Sequence, residues 1–141
     1  MARIVAGVDG SDDSIAALHW AVEEAELRST DVVVLCAWSL PTSFIPGSGL
    51  EFERYAGILE ANAEATVASC VERVASARSI IPMTPEGTAA QQLIEASNDA
   101  VMVVVGSRGR GGFRGLILGS VSQHVATHAR CPVVVHHGSE D

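Results

Sequence analysis

The chain contains no lysine, so all nine of its basic residues are arginines. A Walker A phosphate loop requires a Gly-Lys pair, and none can exist here. No apolar run approaches the roughly 18 to 20 residues of a membrane span, and the N-terminus leads into an apolar stretch with no signal-peptide pattern. The expectation is a cytoplasmic protein without a membrane partner. Basic charge is scarce, with a net charge of −8. Nucleic acid needs a basic stripe to neutralise its phosphates, so no nucleic-acid partner is expected, although small anions stay open. Cysteine is limited to Cys36, Cys70 and Cys131, without metal-ligand spacing. They read as reduced thiols. His124 and His128 stand four apart, but Val125 occupies the place where HExxH carries its glutamate. His136 and His137 alternate across a strand and point to opposite faces. A GxSxG nucleophile elbow is also missing.

What is present suits one domain spanning 1–141, because 48% hydrophobic content in 141 residues builds a single substantial core. Arg3 to Asp9 reads as a strand, and Gly10-Ser11 turns it into a helix from about Asp12 to Arg28. Ser11 is placed to cap that helix, with Asp12 and Asp13 complementing its positive end. Ile15, Leu18, Val22 and Ala25 form its buried stripe. Asp31 to Trp38 is a second strand, apolar enough to be covered on both faces. Ser39 to Leu50, with two prolines and two glycines, is a loop carrying Phe44 and Ile45. Glu51 to Ala77 then reads as a long helix whose core stripe is Phe52, Tyr55, Leu59, Ala63, Val67, Cys70 and Val74.

Ser79 to Pro85 contains Pro82 and Pro85, which confine it to an edge strand. Gly87 and Thr88 open a helix to about Asn98 that buries Leu93 and Ile94. Ala100 to Val105 is the most apolar strand. A last helix, Ser120 to Ala129, presents Val121, Val125 and Ala129 inward, and Pro132 to His136 closes the chain as a strand. The alternation predicts an open α/β fold, a five-stranded parallel sheet with four helices on its two faces. Ligands of such sheets bind beyond the carboxyl ends of the strands where the order reverses. The first and fourth strands end on site-like residues, Asp9 and Gly106. They are therefore expected side by side, in the order 3-2-1-4-5.

The chemistry concentrates in Gly106 to Ser122, GSRGRGGFRGLILGSVS. Glycines at 106, 109, 111, 112, 115 and 119 permit positive φ and let a ligand approach the backbone. The helix that follows offers unpaired N–H groups and a dipole attractive to phosphate. Arg108, Arg110 and Arg114 add positive charge to the same loop. The dinucleotide pattern GxGxxG fails, since a start at Gly109 and Gly111 puts Arg114 where the third glycine belongs. What remains is Gly106, two residues, Gly109, nine residues, Gly119, Ser120, continued by Val121 and Ser122. That spacing resembles the G-2x-G-9x-G-[S/T] loop of the universal stress protein family, in its ATP-binding branch. RIVAGVDGS near the start and HARCPVVVH near the finish resemble the family's first and last strands.

The resemblance implies the same strand order, in a Rossmann-like fold of the adenine nucleotide alpha hydrolase type, with ATP as ligand. Gly106, Gly109, Gly119, Ser120, Val121 and Ser122 would line the phosphates. Arg108 would flank the nucleotide, and Ala37 would offer its backbone to the adenine edge. Asp9 is positioned to hold a phosphate-bound Mg²⁺ or accept from a ribose hydroxyl, with a turn role accepting N–H bonds in D-G-S as the lesser alternative. Ser120 serves either phosphate or the helix cap. No general base or attacking-water site is evident, so binding with slow or no hydrolysis is expected, at most a weak ATPase. Two alternatives stay open, an adenylating enzyme of the ATP-pyrophosphatase type and a nucleotide-free interaction protein. A homodimer through Pro132 to His136 is expected, because that apolar edge has no later segment to cover it.

Overall fold

The computed structural model of the chain describes residues 2–41, 49–74, 78–108 and 119–138. Five strands, β1 (Arg3–Gly7), β2 (Asp31–Leu35), β3 (Ile80–Met83), β4 (Met102–Gly106) and β5 (Val133–His136), alternate with four helices. These are α1 (Asp12–Arg28), α2 (Gly49–Glu72), α3 (Ala89–Ala96), followed by a 3-10 turn at Ser97–Asp99, and α4 (Ser120–His128). The strands form one parallel sheet in the order β3-β2-β1-β4-β5. This is the expected α/β architecture and order.

Side-chain alternation along each strand sorts the core into two layers. Ile4, Ala6, Val32, Val34, Met102 and Val104 pack with Ile15, Leu18, Ala21, Val22 and Ala25 of α1 and with Val67 and Cys70 of α2. Val5, Val33, Leu35, Val103 and Val105 pack on the opposite face with Leu93 of α3 and Val125 of α4. Burial from both sides is why the central strands read as unbroken runs of valine. At the sheet's edges β3 and β5 are only partly buried. Pro82 sits in β3, at an edge as its missing N–H requires.

Three expectations about packing need correction. Only the second half of the α2 stripe is core: Ala63, Val67, Cys70 and Val74 are buried, whereas Tyr55 is exposed and Phe52 and Leu59 are partly exposed. Length explains this, since 24 helical residues reach about 36 Å and a five-residue strand only about 17 Å. The first half of α2 therefore overshoots the sheet. On α4 the inward positions are Ser122 and Val125, with Ala129 packed beside them, while Val121 is 38% exposed. Ile94 is half-buried rather than buried, and Leu93 alone of α3 is fully enclosed. Strand ends shift by one to three residues from the sequence reading. Pairing nevertheless continues past β2, where the Cys36 N–H donates to the Met83 carbonyl (3.0 Å) and the Trp38 N–H to that of Pro85 (3.1 Å). The Phe44 and Ile45 loop lies outside the described residues.

Candidate functional site

β1 and β4 are neighbours, with β2 beyond one and β5 beyond the other, so the strand order reverses between them. A crevice of about 130 Å³ opens at their carboxyl ends. Its inner wall is apolar, made by Gly7, Val8, Leu35, Ala89, Leu93 and Val105, and its polar rim carries Asp9, Ser14, Arg108 and the first turn of α4. The sequence-predicted residues Asp9, Ala37, Gly106, Arg108, Val121 and Ser122 all line it. Gly109, Arg110 and Arg114 lie outside the described residues.

How each residue is held follows from its local sequence. The Asp9 carboxylate accepts the Ser11 N–H at 2.9 Å, so the turn role is realised at the crevice rim. Ser11 in turn caps α1 by accepting the Ser14 N–H at 3.2 Å, as expected of a serine before two acids. Trp38 keeps the β2 register through a bridge to Glu86, and its indole N–H donates to the Thr84 carbonyl at 3.0 Å. Cys36 and Trp38 direct their N–H groups to the β3 side. Ala37, between them, directs its N–H and carbonyl the other way, over the end of β1.

The start of α4 differs from the sequence expectation. Gly119, not Ser120, is the N-cap, with φ −74° and ψ 168°, an extended conformation open to any residue. Positive φ is therefore not what glycine supplies there. What it supplies is the absence of a side chain, since α4 begins with no side-chain cap, while Ser11 caps α1 and Thr88 caps α3. Among the described residues no side chain caps the first turn of α4, which meets the crevice through Val121 and Ser122, while Gly119 and Ser120 are not among the lining residues. Ser122, which lines the crevice, also has a structural job. Its hydroxyl is buried and reaches the carbonyls of Ser107 and Gly119, each at 3.0 Å. The Gly119 N–H also donates to the Ser107 carbonyl, at 2.6 Å, and the Ser107 N–H to that of His136, at 2.8 Å. Ser107 thus ties β5 to both ends of the glycine-rich segment.

Asp13 is the residue that sequence reasoning missed. Its Oδ2 lies 3.7 Å from Arg108 Nε and accepts from the Ser107 hydroxyl at 3.4 Å. A Cβ on Gly106 would come within 3.0 Å of the Asp13 main chain. Close approach is what requires glycine at that position. An acid in the first turn of a helix signals only dipole complementarity, and the contact with β4 depends on tertiary structure. On the exposed side of α4, the rings of His124 and His128 stack with centroids 4.5 Å apart. No group of three potential metal-ligating side chains occurs among the described residues, and no described helix is long and apolar enough to cross a membrane.

An open parallel α/β sheet with a crevice at its switch point, an uncapped helix start and an arginine at the rim defines a class of small-anion or nucleotide-binding folds. Comparison with known proteins narrows the class. The sequence model of the universal stress protein family matches residues 1–137, and the chain belongs to that family. It is 40% identical over 138 residues to universal stress protein Rv2623 of Mycobacterium tuberculosis, an alignment covering 95% of this chain and 44% of that protein. The chain spans less than half the length of that relative. Among solved structures, universal stress protein UspA from Lactobacillus plantarum superposes with a TM-score of 0.83 at 20% identity, covering 96% of this chain and 97% of that one. A universal stress protein solved in complex with cAMP superposes at 0.63 with 22% identity, covering 98% of each chain. One from Archaeoglobus fulgidus in complex with dAMP does so at 0.55 with 22% identity, covering 96% and 97%. At these identities the likeness establishes the shared fold.

Proposed function

We propose that the chain is one ATP-binding universal stress protein domain that works in the cytoplasm as a nucleotide-responsive homodimeric module, with slow or no hydrolysis. The observation that carries this reading is the first turn of α4, which has no side-chain cap among the described residues and lines, through Val121 and Ser122, the same crevice as Arg108. Backbone N–H groups and a guanidinium suit phosphate oxygens. The apolar inner wall of Val8, Leu35, Leu93 and Val105 suits a flat base, with the outward-facing N–H and carbonyl of Ala37 at its edge. Structural relatives that bind cAMP and dAMP support an adenine nucleotide. Asp9 would hold Mg²⁺ through the nucleotide phosphates from its place at the crevice rim.

Ground-state binding dominates because the groups at the rim grip phosphate without distinguishing a transition state from the substrate. Mass spectrometry of small molecules released on denaturing the purified protein tests the reading. Recovered ATP, together with calorimetric rebinding of ATP, is the expected result. A protein that neither carries nor rebinds any adenine nucleotide would overturn it.

A further inference from the structure

Arg108 is the one described cation lining the crevice, and it is paired with Asp13, which is not itself among the lining residues. We propose that Asp13 is a specificity-determining residue that sets how much phosphate charge the crevice accepts, an inference that rests on the nucleotide reading above. Three observations place a fixed negative charge at this point. The Asp13 side chain is 20% exposed and that of Arg108 39%, so the acid is the more enclosed partner. Its carboxylate accepts the hydroxyl of buried Ser107. Gly138, at φ 76°, passes so close that a Cβ there would collide with Asp13 Oδ1.

The arginine is the partner free to move. Its Nε stands 3.7 Å from Oδ2, longer than the roughly 2.7 to 2.9 Å of a close charge-assisted bond. A phosphate arriving at the first turn of α4 takes the guanidinium from a loose pair and leaves Asp13 in place, uncompensated. The repulsion that results grows with each further charge on the ligand. Nucleosides escape it, monophosphates meet little of it, and metal-free triphosphates meet most. The Asp13 carboxylate thereby selects against unneutralised polyphosphate, which fits a crevice that takes ATP as its Mg²⁺ complex.

The test is calorimetry of adenosine, AMP and ATP with wild type and Asp13→Asn, without Mg²⁺ and at low and high salt. Asparagine retains an acceptor for the Ser107 hydroxyl and removes only the charge. The expected result is unchanged adenosine affinity, a small gain for AMP, and a gain of about three- to tenfold for ATP that shrinks as salt rises. Asp12→Asn, which neutralises an exposed acid in the same turn, should not reproduce this gradation. An equal change for all three ligands, no change, weaker ATP binding, or the same gradation in Asp12→Asn would each overturn the role given to Asp13. A wild type that binds none of the three would overturn the nucleotide reading itself, and this inference with it.

Discussion

At the scale of single residues, the glycines of the site act by the space they leave. A methyl group at Gly106 would press on the Asp13 carbonyl at 3.0 Å and on its Cβ at 3.1 Å. These are atoms of a helix that cannot yield as a side-chain tip would. Gly106→Ala should cost about 1 to 3 kcal/mol of stability, as overpacking does, and weaken ATP binding by shifting the first turn of α1 against the crevice. Chemical denaturation and calorimetry check the two effects, and a variant with native stability and affinity would show the close approach to be inconsequential. Asp9 makes a separate prediction. If its carboxylate meets Mg²⁺ at the crevice rim, wild-type ATP affinity should rise with Mg²⁺ and Asp9→Asn should lose that dependence. Equal wild-type affinities with and without the metal would remove the assignment. Cys131 lies outside this chemistry, since burial pushes its thiol pKa upward and keeps it protonated at neutral pH.

At the scale of elements, the contrast between capped and uncapped helices gives a prediction of opposite signs. Ser11 caps α1 and Thr88 caps α3, whereas Gly119 leaves α4 open. Gly119→Asn would supply a cap at a φ and ψ any residue adopts, stabilising the protein by a few tenths of a kcal/mol. The same amide would occupy N–H groups proposed for phosphate, so ATP affinity should fall while the melting temperature holds or rises. Unchanged affinity in a correctly folded variant would move the phosphate site away from α4. Elements were largely legible in the sequence because valine runs, the Ser11 cap and Pro82 of β3 act locally. What escaped was set by neighbours in space. The outer half of α2 reads as core by periodicity but outruns the short strands, and the bond of the Ser122 hydroxyl to the Ser107 carbonyl has no local signature in the sequence.

At the scale of the whole molecule, the strand order leaves β5 at one edge of the sheet. The order was readable because Asp9 and Gly106 both carry site-like chemistry and had to meet at the switch point. A homodimer built on β5 is proposed from that edge, and the hydrogen-bond ladder shows how to test it cleanly. The carbonyls of Pro132 and His136 accept from Val103 and Ser107, so the even-numbered residues of this strand direct their peptide groups at β4. Val133 and Val135 must then direct theirs away from the sheet, since parallel pairing alternates along a strand. Proline at 135 would remove an outward N–H and add bulk at the free edge while sparing the ladder to β4. Val135→Pro should therefore move a dimer toward monomer with little loss of thermal stability. A proline at 134, where the N–H faces β4, should instead unfold or strongly destabilise the chain, by about 3 kcal/mol or more. Light scattering across a range of concentrations, paired with thermal melting, separates the two effects. A wild type that is monomeric throughout, or a well-folded Val135→Pro variant that remains fully dimeric, would place any self-association elsewhere on the surface.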